Sequence, residues 1–116
     1  MLIKAPSLSP VWWDQWDKQI EEYAEKYDLT YWNFLDYQEE IGIDWSVDTY
    51  DTGLHLNVYG AEKMSSYFGQ LLVDTFGLED RRNDAELSNL WAEKVATYNE
   101  RKAILEAETA SETKGE

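Results

Sequence analysis

The sequence predicts an α/β fold with about two parallel strands and three helices. Two observations point there. Short runs of β-compatible residues stand at Leu2-Ile3 and at Leu29-Thr-Tyr-Trp-Asn-Phe-Leu35. Between them Trp13, Trp16, Ile20, Tyr23 and Tyr27 recur at helical spacing. Strand, helix and strand joined by short links is the order of a crossover unit, whose strands run parallel.

The first strand opens within Leu2 to Leu8. Ser9 suits the cap of the following helix and Pro10 its first position, because a serine oxygen accepts orphan N–H bonds and proline has none to lose. The stripe on this helix is expected to face the core, with Asp14, Lys18, Glu21, Glu22, Glu25 and Lys26 toward solvent. Trp12 lies off the stripe and is the better candidate for surface exposure or for contact with missing elements. Residues Asp36 to Leu54 show neither period and read as one long loop. A second helix is expected from Asn57–Gly60, with Ala61, Met64, Phe68, Leu71, Leu72 and Thr75 on one side and Gly77 as its stop. A third runs from about Asp84 with Leu87, Leu90, Trp91, Val95 and Tyr98 as its stripe. Residues 1–105 thus form the domain, and the polar segment 106–116 reads as a disordered acidic tail. A two-stranded parallel sheet leaves two open edges, so the chain reads as one half of something.

Composition narrows the function. The 116 residues carry 10 Lys+Arg against 24 Asp+Glu, a net charge of −14, which disfavours a nucleic-acid partner because phosphate binding needs clustered cations. The absence of cysteine excludes disulfides, thiolate zinc sites and a cysteine nucleophile. No apolar run approaches the roughly 20 residues of a membrane span. Nothing after Met1 has the pattern of a secretory leader, and none is expected.

Acid–base chemistry must run through His55, the sole histidine, or through carboxylates. It stands in Asp48-Thr-Tyr-Asp51-Thr-Gly-Leu-His55-Leu-Asn57-Val-Tyr-Gly60-Ala-Glu-Lys63. A carboxylate shortly before a histidine can accept a bond from one ring nitrogen and leave the other as a proton acceptor. The same pair can equally tether a loop. Asp44, Asp48, Asp51 and His55 could together ligate a divalent cation, but their spacing fits no known loop, and a solvated acidic loop is the preferred reading.

Asp51…His55-Leu-Asn57 with Gly60-Ala-Glu-Lys63 and Ser65-Ser-Tyr-Phe-Gly69 resembles the C-terminal block of bacterial SGNH/GDSL-type hydrolases. The flanking segments extend the resemblance over about residues 2–100. It implies a flavodoxin-like three-layer α/β/α sandwich, here partial, in a family of serine esterases and acyltransferases, many acting on carbohydrate-linked acyl esters. It also implies a Ser-Asp-His triad without cofactor or metal, with His55 as general base and Asp51 orienting it. The family interval is usually Asp-x-x-His; here it is one residue longer, which Gly53 could absorb, and Asp48 is the alternative carboxylate. The family's Gly-Asp-Ser nucleophile and its oxyanion residues are missing from the chain, so the isolated chain is expected to be inert. The competing reading is a non-catalytic acidic module that completes its sheet by homodimerisation or with a partner chain, such as an N-terminal half.

Overall fold

A computed structural model describes residues 1–8 and 13–112. The elements are β1 (Leu2–Lys4), α1 (Trp13–Lys26), β2 (Tyr31–Asn33), α2 (Gln38–Ile41), α3 (Val58–Phe76) and α4 (Ala85–Glu112). The fold is mixed α/β and mostly helical, and the two strands run parallel with Leu2 beside Tyr31, Ile3 beside Trp32 and Lys4 beside Asn33. No helix among the described residues is long and apolar enough to cross a membrane. The chain divides into two compact units, Met1–Leu72 and Val73–Glu116.

In the first unit, side chains alternate across the two strands as the pleat requires. On one face the buried Lys4 ammonium meets Asp17 of α1 at 2.6 Å, and the Tyr31 hydroxyl donates to the same carboxylate at 3.2 Å. Burial, then the negative charge of Asp17, pushes the Tyr31 hydroxyl up to about 12. On the other face Trp32 and Phe34 form the core with Ile41, closed by Met64, Tyr67, Phe68, Leu71 and Leu72 of α3. The rings meet edge to face: Phe68 lies 5.4 Å from Phe34 and 6.1 Å from Trp32, between centroids. Phe34 is completely buried.

Several expectations need correction. The aromatic stripe of α1 does not form the core. Trp16, Tyr23 and Tyr27 are each about half exposed, and among the described side chains of the helix the buried one is Ala24. Lys4 explains the rotation. A buried ammonium needs a carboxylate beside it, so α1 turns Asp17 inward, and small Ala24 lets the helix approach. The segment read as one loop contains α2, a single turn that buries Ile41 and ends on Gly42 in the left-handed region (φ 74°). One turn is too short to show a period. Ser9, Pro10 and Trp12 lie outside the described residues, as does the Trp13 side chain.

In the second unit, α3 stops at Gly77 (φ 62°), whose N–H reaches the Val73 carbonyl at 2.8 Å. Asp84 caps α4, its Oδ1 accepting the Glu86 and Leu87 N–H groups at 3.1 Å each. The helix passes Leu105 and continues to Glu112, through residues read from the sequence as tail; alanine and glutamate there are strong helix formers. Residues 113–116 lie outside the described residues. On the α4 stripe Leu90, Trp91, Val95 and Tyr98 are exposed and Leu87 is half-buried.

Candidate active site

The site is built from the loop between α2 and α3. Asp44 opens it, its Oδ1 accepting the backbone N–H (3.0 Å) and hydroxyl (2.6 Å) of Ser46. The Ser46 hydroxyl and N–H hold the Asp44 carboxyl below its ordinary range. The chain then doubles back: Thr49 bridges Leu56 antiparallel, Tyr50 N–H donates to the His55 carbonyl at 3.0 Å, and Asn57 N–H donates to the Asp48 carbonyl at 2.9 Å. At the tip Thr52 (φ 58°) and Gly53 (φ 102°) take left-handed conformations, which closes the turn between Asp51 and His55. A β-branched threonine at positive φ is strained and persists only where its surroundings fix it. Those surroundings include the segment after β1. Leu8 N–H donates to the Gly53 carbonyl at 2.7 Å, and the Ser7 hydroxyl donates to the Leu54 carbonyl at 2.9 Å.

This turn brings the two singled-out residues together. Asp51 Oδ1 accepts the backbone N–H groups of His55 (2.7 Å) and Leu54 (3.1 Å), which fixes the carboxylate. Its Oδ2 lies 2.5 Å from His55 Nδ1. A carboxylate only accepts, so Nδ1 carries a proton, and in the neutral ring the lone pair falls on Nε2. The His55 side chain is 77% exposed and that of Asp51 39%, so the rest of the ring, Nε2 included, is open to solvent. The hydrogen bond from the imidazole, then that from the His55 backbone N–H, lowers the Asp51 carboxyl below the ordinary carboxylate range.

Asp48, the alternative orienting carboxylate, is committed elsewhere. It is 1% exposed, accepts the Asp44 N–H at 2.8 Å and pairs with Lys63 Nζ at 2.6 Å. Lys63 also donates to the Gly42 carbonyl at 2.9 Å, which ties α3 to the end of α2. Asp44, Asp48 and Asp51 thus turn to three different partners, and no cluster of three or more metal-ligating side chains occurs among the described residues.

The text around His55 acquires physical roles. Asn57 caps α3, its Oδ1 accepting the Tyr59 and Gly60 N–H groups at 3.0 and 3.2 Å while its Nδ2 donates to the Val47 carbonyl at 2.6 Å. Gly60 is buried, and glycine suits the position because a β-carbon there would run into the Asp48 carbonyl oxygen. Sequence reasoning missed the Asp48–Lys63 pair, which spans 15 positions, and the clasp by Ser7 and Leu8. No family model matches this chain, and neither does any curated protein or solved structure.

Proposed function

We propose that the chain is the C-terminal part of an SGNH/GDSL-like ester hydrolase or acyltransferase, with Asp51 and His55 as two members of a Ser-Asp-His triad. One observation carries the reading: an exposed imidazole whose Nδ1 is held at 2.5 Å by a carboxylate that two backbone N–H groups fix in place. A loop tether needs no ring open to solvent. A general base does. The reading implies a partial flavodoxin-like sandwich, and the packing of α1 and α3 against opposite faces of two parallel strands supports it.

In the intact enzyme a serine hydroxyl attacks the ester carbonyl, and His55 Nε2 takes its proton as the C–O bond forms. Asp51 stabilises the resulting imidazolium. Collapse of the tetrahedral intermediate expels the alcohol, which receives that proton, and leaves an acyl-serine. Water or an acceptor hydroxyl, deprotonated by His55 in turn, then releases the acyl group. The serines of this chain lack a Gly-Asp-Ser context, so the chain alone should cleave an aryl acetate no faster than free imidazole does.

The test joins the chain to an N-terminal segment that supplies the nucleophile and oxyanion donors, and follows aryl acetate cleavage. His55→Ala should lower kcat by about three orders of magnitude or more. Equal rates for the two proteins would remove His55 from the mechanism. The second reading, an acidic module whose sheet is completed by another copy or chain, accounts for half-exposed Ile3 on β1 but gives the Asp51–His55 geometry no use.

A further inference from the structure

We propose that α4 pairs antiparallel with α4 of a second copy of this chain. This inference concerns the second unit alone and is independent of the hydrolase reading. α4 is 28 residues long, and Leu90, Trp91, Val95, Tyr98, Ile104 and Leu105 on it are between 43% and 62% exposed. In proteins, helices gain most of their stability by covering such a face.

The order of residues along that face selects the occupant. Leu87, Trp91, Lys94, Tyr98, Arg101 and Leu105 recur at alternating intervals of four and three, the seam of a two-helix coil. Read backwards, the seam complements itself. With Leu87 opposite Leu105 of the other copy, Trp91 meets Arg101 and Lys94 meets Tyr98, each layer occurring twice. Every seam cation then faces an aromatic ring, a contact already made within the chain, where Lys94 Nζ lies 4.6 Å from the Trp91 ring centroid. The flanks agree: Leu90 comes opposite Ile104, and Val95 opposite Val95. A parallel pair would instead set Lys94 on Lys94 and Arg101 on Arg101, which like charges oppose. A self-complementary seam is what a two-fold axis requires. Near its start α4 borders an open cavity of about 520 Å³ lined by Arg81, Arg82, Leu87, Ser88, Trp91 and Val95. Leu105 of the second copy faces this cavity.

Each chain carries a net charge of −14, so the assay belongs at about 0.15 M salt, where the Debye length is about 8 Å. Sedimentation equilibrium of the full chain should give twice 13.6 kDa, with a Kd at or below about 10 μM. Trp91→Ala should weaken pairing at least about tenfold. A monomeric wild type, or unchanged affinity in Trp91→Ala, overturns the proposal. The native chain has no cysteine, so direction can be read by oxidation. Leu87→Cys mixed with a mass-tagged Leu105→Cys should give the mixed disulfide, while each alone cross-links at least about tenfold less. Cross-linking of each variant with itself, at the expense of the mixed product, means a parallel pair and sinks the antiparallel arrangement.

Discussion

Asp48 and Asp51 lie three residues apart, and each is paired with a basic side chain, yet the two pairs have opposite surroundings. Asp48 is 1% exposed, with Lys63 at 2.6 Å; Asp51 is paired with an imidazole that is 77% exposed. The first pair locks the loop onto α3, and α3 onto the end of α2. The second sits on the loop so fixed and leaves a ring nitrogen open. The difference separates holding a site from being one. Removing a partner from a buried pair strands a charge, whereas removing a partner from an exposed pair returns a group to water.

The comparison breaks most clearly at Lys63. Lys63→Met keeps the aliphatic stem and removes the ammonium, leaving the Asp48 carboxylate buried with the Asp44 N–H as its remaining described donor. Urea unfolding should show a loss of about 3 kcal/mol, at the low end for broken buried pairs because the Lys63 side chain is itself 41% exposed. A loss under about 1 kcal/mol would mean that Asp48 does not depend on this partner.

Gly60→Ala tests the same junction sterically. Alanine usually favours a helix over glycine, but this β-carbon would stand 2.4 Å from the Asp48 carbonyl oxygen, a backbone atom with little room to move. The expected outcome is a destabilisation of about 1–3 kcal/mol, seen as a lower Tm. A raised Tm would show that α3 can shift away from the loop freely.

The parallel strands and the helices that became α1, α3 and α4 were legible because each rests on local periodicity or on short links. The meeting of Asp51 and His55 was legible for a similar reason: a four-residue interval containing Gly53 can close within one turn. Lys63 was not legible as the partner of Asp48, because two charges on separate elements leave no periodic trace. The buried face of α1 was hidden differently. Its stripe announces an amphipathic helix, but the side it turns inward was decided by Lys4, a charge on another element that needed Asp17. Periodicity reports that a face exists; a neighbouring buried charge can overrule which face is used. In α4 the helix was legible from its period, while the exposure of Leu90, Trp91, Val95 and Tyr98 depends on what packs against them, which periodicity alone does not report.

The smallest expected effect on stability, and the sharpest on chemistry, belongs to Asp51→Asn. Asparagine retains an oxygen for the His55 and Leu54 N–H groups, so the turn should survive and the unfolding midpoint should move less than in Gly60→Ala. Its amide nitrogen, however, donates where Oδ2 accepted. The imidazole must then present a lone pair at Nδ1 and carry its proton on Nε2, the wrong tautomer for a base. Nitrogen NMR of His55 near pH 8 should report the Nδ1–H form in the native chain and the Nε2–H form in the variant. The pH dependence has a definite sign. Because the Asp51 carboxyl is lowered in the folded chain, whatever stability the pair contributes is present above the ordinary carboxylate value of about 3.9. It is lost as the pH falls through the lower folded value. The difference between native and Asp51→Asn unfolding midpoints should therefore shrink as the pH falls below about 4 and vanish in stronger acid. An unchanged tautomer in the variant would show that some other group orients the ring, and the contrast between the two aspartates would lose its chemical half.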